Sequence, residues 1–224
     1  MKKVIFWDSD GTLLYNNESF AYSFAEACNG EGYCETIENA RRLMRCICSW
    51  YDNDTDHSDQ NGEQWWQCLI EKLDYYLKKK YQDREKIAKI LMSFRHNVMA
   101  YDYKAYDDAK DILKLLYGRG YRNYIISNNF PELGDVFGRL GLGEYISGYI
   151  TSAEAGYEKP DSRIYEKAME AAGNPEICYM IGDNPVTDYE GGTNAGMKAI
   201  LVHCANANGK TACAELKELA DLIP

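Results

Sequence analysis

Short apolar strands alternate with amphipathic helices after Tyr103, and this alternation limits the fold more strongly than any other feature of the sequence. Because strands that are linked through helices form right-handed crossovers, it predicts a parallel sheet covered on both faces. The expected fold class is α/β, with a doubly wound, Rossmann-like parallel sheet as its core. The strands are predicted at residues 3–7, 122–127, 148–152, 177–182 and 199–203, and the helices of this region at 107–117, from Pro131 to near Gly141, from Pro160 onward and at 212–222.

A long helical segment separates the first predicted strand from the others. Apolar residues recur at helical spacing in four stretches of this segment, for example Phe20, Phe24 and Cys28 in the first stretch. Strand patterns are nearly missing from it. The expected domains are an α/β catalytic core formed by residues 1–14 and 101–224, and an inserted all-helical domain formed by residues 15–100.

Polar residues follow three of the predicted strands at the points where those strands end. The clusters are residues 8–12, 127–129 and 182–188. Open α/β sheets bind ligands in the crevice outside the carboxyl ends of their strands. Three distant segments of the chain are therefore predicted to form one site.

Four motifs in this chain resemble those of the haloacid dehalogenase-like superfamily, and the resemblance covers essentially the whole sequence. It is to the phosphatase branch of that superfamily, with a helical cap of the first subclass. The motifs are the segment Asp8-Ser9-Asp10-Gly11-Thr12-Leu13, then Ser127, then Lys159-Pro160, and finally Gly182-Asp183 followed after four residues by Asp188.

The carboxylates of these motifs suit phosphoryl transfer that is assisted by a hard cation. Asp8 follows a strand, and a carboxylate attacks phosphorus well only when the repulsion between the two anions is neutralised. Mg²⁺ prefers oxygen ligands, usually one or two carboxylates together with phosphate and water. Asp8 and Asp183 are the expected carboxylate ligands of Mg²⁺, and the resemblance adds the backbone carbonyl of Asp10. Asp8 is the predicted nucleophile.

Asp10 lies two residues after Asp8, on the same side of an extended chain. The resemblance implies that Asp10 is the general acid toward the leaving oxygen and then the general base toward water. Relatives that cleave carbon–halogen bonds lack this second Asp, because a halide leaving group needs no proton. Dehalogenation is therefore disfavoured.

Phosphate binding is predicted for Thr12, Ser127, Asn128 and Lys159. Ser127 ends a strand, so its hydroxyl is expected to hold phosphate oxygens, and Asn128 is expected to add a donor. Thr12 either positions the loop or donates to phosphate. Lys159 precedes Pro160, which suits the first position of a helix. A cation at a helix entrance does not stabilise the helix, so Lys159 is expected to face the phosphate and Asp8.

Two further residues complete the predicted site. Asp188 is expected to cap the helix after the fourth motif and to support the metal site from behind its ligands, with direct binding to the metal as the alternative. Asn129 receives no role. The three histidines, His57, His96 and His203, are assigned to the surface or the core because no histidine-based catalytic motif accompanies them.

The helical insert resembles the family's cap, which closes over the site, excludes water and contacts the leaving group. Trp50, Tyr51, Trp65 and Trp66 are candidates for the lining of that pocket, and ordinary packing between helices is the alternative.

An acidic segment in the insert partly matches an EF-hand calcium loop. Asp52, Asp54, Asp56 and Glu63 occupy ligand positions of that loop. The sixth position, however, is His57 and not the glycine that the sharp turn requires. A solvated acidic loop is the preferred interpretation.

Charge and composition exclude several classes of partner. The formal net charge of -10 repels polyanions, which argues against nucleic acid and anionic membranes as partners. No stretch approaches the roughly 20 apolar residues of a membrane span, and the apolar run before Asp8 is too short for a secretory signal. We therefore expect a cytoplasmic protein with reduced cysteines. A monomer is favoured over an oligomer.

The sequence therefore predicts a Mg²⁺-dependent phosphohydrolase that cleaves a phosphomonoester of a small metabolite, such as a sugar phosphate or nucleotide, through an aspartyl-phosphate. A sugar-phosphate mutase needs the same four motifs and is the alternative within enzymes. A binding protein that kept the fold and lost turnover is the alternative from another class.

Overall fold

The computed structural model describes residues 2–15, 18–47, 62–204 and 207–224. These residues form two compact units. One unit begins at the N-terminus and resumes at Tyr103, and the other runs from Glu18 to Asp102 among the described residues. The acidic segment that resembles a calcium loop lies outside the described residues, apart from Glu63.

The first unit contains one five-stranded sheet in which all strands are parallel. The strand order is β3-β2-β1-β4-β5. Because neighbouring strands are parallel, each connection between them is a crossover. This arrangement confirms the predicted doubly wound fold class. The strands are β1 (Lys3–Trp7), β2 (Tyr121–Ser127), β3 (Ile146–Thr151), β4 (Ile177–Gly182) and β5 (Lys198–Leu201).

Helices cover this sheet and connect its strands. They are α5 (Ala109–Gly118), α6 (Leu133–Arg139), α7 (Ser152–Ala155), α8 (Ser162–Ala171), α9 (Gly191–Asn194) and α10 (Leu219–Leu222), with a π-helical turn at Pro185–Glu190 and short 3₁₀ turns at Gly143–Tyr145 and Leu216–Glu218.

Strand β1 lies at the centre of the sheet, and its register aligns the ends of three strands. Trp7 pairs with Ile125 of β2 and with Ile181 of β4. The residues Val4 to Trp7 are all buried, as expected for a central strand that is covered on both faces. Because β1, β2 and β4 end side by side, the polar residues that follow them meet at one edge of the sheet.

The predicted closing helix at residues 212–222 is wrong in its first half. Ala212 forms a parallel bridge with Leu201, and the Cys213 N–H donates to the Leu201 carbonyl over 2.9 Å. The chain therefore runs beside the edge strand β5, whose exposed backbone groups need partners. Helical structure begins only at Leu216.

The second unit is all-helical, as the apolar spacing predicted. Phe24 and Phe94 are buried at its centre, with ring centroids 6.1 Å apart at 83°. This edge-to-face geometry is favourable for aromatic pairs. The helices are α1 (Ser19–Gly30), α2 (Ile37–Ile47), α3 (Glu63–Lys80) and α4 (Arg84–Ala100).

Trp65 and Trp66 belong to the core of this helical unit. Trp66 is 1% exposed and stacks on Phe20 with ring centroids 5.9 Å apart. Trp65 meets Phe20 edge-on at 6.2 Å. Packing between helices therefore accounts for these two side chains, whereas Trp50 and Tyr51 lie outside the described residues.

Within the described part of the chain, no helix combines the length and apolar character that a membrane span requires.

Candidate active site

Asp8 lies immediately beyond the central strand, at the edge where the strand ends meet. Its backbone N–H continues the sheet pairing by donating to the Ile181 carbonyl over 2.8 Å. The residue is 8% exposed, and its carboxylate accepts a hydrogen bond from Lys159 Nζ over 2.7 Å. The strand thus fixes the backbone of Asp8, and a buried cation fixes its side chain.

Lys159 forms the centre of a buried ionic cluster. Its ammonium group donates to Asp8 Oδ1 over 2.7 Å and to Asp188 Oδ1 over 2.6 Å, and the residue is 2% exposed. Burial by itself lowers the pKa of Lys159, but the adjacent carboxylates of Asp188 and Asp8 outweigh it and hold the pKa above its ordinary value. Lys159 is therefore a permanent cation in this site.

The side chain of Asn128 holds the backbone of Lys159. Asn128 Nδ2 donates to the Lys159 carbonyl over 3.0 Å, and the Lys159 N–H donates to Asn128 Oδ1 over 2.7 Å. The amide has a second N–H, so the phosphate contact predicted for Asn128 stays a prediction. Asn128 positions Lys159.

Pro160 is not the first residue of the following helix, contrary to prediction. Helix α8 begins at Ser162, and Asp161 is its N-cap, with its side chain accepting the Arg163 N–H over 2.9 Å. The first backbone N–H groups of a helix have no partner within the helix, and an Asp side chain at the N-cap accepts a hydrogen bond from one of them. Lys159 consequently lies in the turn before the helix.

Three carboxylates face one another at the same edge of the sheet. Asp8, Asp183 and Asp188 each offer an oxygen, and these oxygens lie within 4.8 Å of one another. Burial and then the charge of Asp8 raise the pKa of Asp183. Burial also raises the pKa of Asp188, although Lys159 opposes this shift.

This donor set suits a divalent cation. Lys159 supplies one positive charge against the three carboxylates. Clustered carboxylate oxygens are the ligands preferred by hard cations such as Mg²⁺. Gly11 permits the close approach of the first loop to Asp183, because a Cβ at Gly11 would lie 2.5 Å from Asp183 Oδ2.

The predicted capping role of Asp188 is wrong. Asn184 caps the π-helical turn instead, because its Oδ1 accepts the backbone N–H groups of Val186 and Thr187 over 2.9 and 3.1 Å. Asp188 Oδ2 accepts the Asn184 N–H over 3.0 Å, while its Oδ1 pairs with Lys159. Asp188 therefore ties the turn after β4 to the Lys159 ammonium.

Asp10 belongs to a second hydrogen-bonded group, beside the first loop. Asn129 Nδ2 donates to Asp10 Oδ2 over 2.6 Å and to Ser9 Oγ over 3.3 Å. Ser9 Oγ lies 2.7 Å from Ser127 Oγ. The sequence predicted Asp10 and Ser127 as site residues but missed Ser9 and Asn129. The only signal for these two was their position, since Ser9 directly follows Asp8 and Asn129 directly follows Asn128.

Thr12 is fully buried, and its Oγ1 has no hydrogen-bond partner among the described residues. Its carbonyl lies 3.0 Å from His203 Nε2, and the His203 ring stacks on Tyr106 with centroids 3.8 Å apart. His203 was assigned no part in the site, and this contact corrects that assignment. His203, which follows β5, thus supports the loop that contains Asp8 to Thr12.

Comparisons with known proteins show the family of this chain. Residues 2–196 match the family described as haloacid dehalogenase-like hydrolase. The glyceraldehyde 3-phosphate phosphatase of Methanothermobacter thermautotrophicus is 30% identical over 209 residues, which covers 91% of this chain and 86% of that protein. The human haloacid dehalogenase-like hydrolase domain-containing protein 3 is 28% identical over 209 residues, covering 89% of this chain and 81% of that protein.

A solved structure shows the same fold. The 2-haloacid dehalogenase from Pseudomonas syringae pv. Tomato DC3000 superposes with a TM-score of 0.74 at 17% identity, covering 100% of this chain and 98% of that one. At this identity the likeness concerns the fold alone. The family match over residues 2–196 confirms the predicted superfamily and the predicted hydrolase class. The chain therefore belongs to the haloacid dehalogenase-like hydrolase family.

Proposed function

We propose that this protein is a Mg²⁺-dependent phosphohydrolase that cleaves a phosphomonoester of a small metabolite through an aspartyl-phosphate on Asp8. The observation that carries the proposal is the buried ammonium of Lys159, 2.7 Å from Asp8 Oδ1, beside the carboxylate of Asp183. A nucleophilic carboxylate beside a fixed cation suits attack on an anionic phosphoryl group.

In the first step an oxygen of Asp8 forms a bond to phosphorus while the bond from phosphorus to the leaving oxygen breaks. Asp10 gives its proton to that leaving oxygen, so the departing group is an alcohol. In the second step Asp10 takes a proton from water, whose oxygen attacks phosphorus and releases phosphate from Asp8. Proton transfer of this kind contributes about 10²–10⁴-fold in rate.

Asp8, Asp183 and the backbone carbonyl of Asp10 are the proposed ligands of Mg²⁺. When bound, the ion neutralises the charge of the phosphoryl group and of the carboxylates around it. Lys159 adds a fixed positive charge on the same group, and Asp188 keeps Lys159 in place through the 2.6 Å ion pair.

Ser127 is the proposed donor to the phosphoryl oxygens. Its hydroxyl lies 2.7 Å from Ser9 Oγ, which in turn accepts from Asn129 Nδ2. When Ser9 donates to Ser127, the Ser127 proton is left for a substrate oxygen. Thr12 is the other predicted donor, and its Oγ1 is buried with no hydrogen-bond partner among the described residues.

The substrate class rests on the relatives. The phosphatase from Methanothermobacter is named for a three-carbon sugar phosphate, and it is 30% identical to this chain. We propose a small phosphorylated metabolite for this protein as well, with the helical unit acting as the cap. The proposal includes a monomer in the cytoplasm, where the free thiols of the described cysteines are stable.

Phosphate release from a panel of phosphorylated metabolites tests the proposal. Wild type is expected to turn over at least one of them only when Mg²⁺ is present, and Asp8→Asn is expected to abolish turnover. Asp135→Asn, an exposed change of the same kind, is the matched control and is expected to behave as wild type. Turnover that persists in Asp8→Asn would overturn the assignment of the nucleophile.

A further inference from the structure

We propose that Asn129 is a positioning residue that fixes the Asp10 carboxylate in the orientation needed for proton transfer. The inference rests on the proposed function, because it concerns the general acid and base of the same reaction. It adds a residue for which the motifs of the sequence gave no role.

The short contact between these two side chains is the first observation. Asn129 Nδ2 donates to Asp10 Oδ2 over 2.6 Å. Asn129 is 4% exposed, so water does not compete effectively for its amide. A hydrogen bond from an amide to a partly buried carboxylate is stronger than one between two neutral groups.

The orientation of the Asn129 amide is determined by its own neighbours. Its Oδ1 accepts the Phe130 N–H over 3.0 Å, which leaves Nδ2 on the side of Asp10. The Asn129 carbonyl accepts the Ala153 N–H over 3.2 Å and lies 3.4 Å from the Ser152 hydroxyl. Phe130 and two residues of α7 therefore fix the position of Asn129.

Asp10 needs such a partner because its own torsion angle gives little guidance. The χ2 angle of an aspartate is broad and roughly two-fold, so it does not favour one orientation of the carboxylate strongly. The bond from Asn129 Nδ2 engages Oδ2 as an acceptor, which assigns the transferable proton to Oδ1.

Leaving-group dependence distinguishes a positioning role from a purely structural one. An alkoxide is a strong base and needs the proton of Asp10 to depart, whereas 4-nitrophenolate is a weak base and departs without it. Loss of Asn129 should therefore slow the first step for an alkyl phosphate and leave it nearly unchanged for an aryl phosphate. A loss of folding would lower both equally.

The experiment compares wild type, Asn129→Ala, Asp10→Asn and the double variant with an alkyl phosphate and with 4-nitrophenyl phosphate. For Asn129→Ala, kcat/KM is expected to fall about 10–100-fold with the alkyl phosphate and less than about 3-fold with the aryl phosphate. In the Asp10→Asn background, Asn129→Ala should have no further effect, because the two residues act as a unit.

Three results would overturn the inference: equal losses with both substrates, no loss with either, or independent losses from Asn129→Ala and Asp10→Asn. Where Asn129→Ala does not fold, Asn129→Leu keeps the approximate size, removes the donor without adding a charge and should give the same change in substrate preference. Wild type without any phosphatase activity would instead count against the proposed function. Active wild type with an unchanged preference in the variants would count against Asn129 alone.

Discussion

Lys159 Nζ lies 2.6 Å from Asp188 Oδ1, and both side chains are almost completely buried. This ion pair joins the turn before α8 to the turn after β4, and the same ammonium group reaches Asp8. A buried charge without its partner is strongly destabilising, so the pair links the stability of the fold to the chemistry of the site.

Removal of the Lys159 charge should destabilise the protein. In Lys159→Met the carboxylates of Asp8 and Asp188 lose their buried cation, and the free energy of unfolding in urea is expected to fall by about 3–5 kcal/mol without divalent cations. Lys78→Met breaks an exposed pair with Asp74 and should cost less than about 0.5 kcal/mol. Equal effects of the two changes would contradict this role of Lys159.

Mg²⁺ should stabilise wild type and should have little effect on Asp183→Asn. Saturating Mg²⁺, at about 100 times its dissociation constant, is expected to add about 2.7 kcal/mol to the free energy of unfolding. Without Mg²⁺, Asp183→Asn is expected to be at least as stable as wild type, because burial, and then the charge of Asp8, disfavours the ionised Asp183 carboxylate and raises its pKa. Thermal unfolding with and without Mg²⁺ checks both expectations, and an unchanged response of Asp183→Asn would exclude Asp183 as a ligand.

The N-cap of α8 should give a defined pH dependence. The hydrogen bond from the Arg163 side chain lowers the pKa of Asp161, against the opposing effect of burial. A carboxylate with a lowered native pKa stabilises the fold fully above its unfolded value, roughly 3.9, and loses that contribution as the pH falls through the native value.

Asp161→Ala is therefore expected to cost about 1 kcal/mol at pH 7, through the lost cap. The difference from wild type should shrink as the pH falls below roughly 3.9. Asp161→Asn keeps a capping oxygen and should recover most of the loss. Urea unfolding at several pH values measures this, and a constant difference at all of them would contradict the assignment.

Gly182 is expected to tolerate no side chain. A Cβ at this position would lie 2.2 Å from Asp188 Cγ, so Gly182→Ala should displace Asp188 from Lys159 and lower both kcat and the melting temperature. Gly138→Ala in α6 is the matched control, since a Cβ there has no neighbour within 4 Å. That change should stabilise the protein by about 0.4–1 kcal/mol and leave kcat unaltered.

Much of this architecture follows from local patterns in the sequence. Short apolar runs predict β1 and β4, because a strand buried on both faces carries apolar side chains at successive positions. Apolar residues at helical spacing predict α1 to α4, because a helix buries one face. The polar residues after β1, β2 and β4 are brought together by parallel pairing alone. Asp8, Ser127 and Asp183 could therefore be placed in one site before any contact was known, whereas Lys159 was placed there by the family resemblance.

The partner of each polar atom was decided only by the tertiary structure. Asn128 pairs with a residue 31 positions away, and Asn129 pairs with Asp10 at a separation of 119 positions. Two adjacent asparagines thus bind different partners, and no local sequence pattern predicts which partner each one binds. Each buried donor must find an acceptor within about 3 Å, and only the packed sheet determines which acceptor that is.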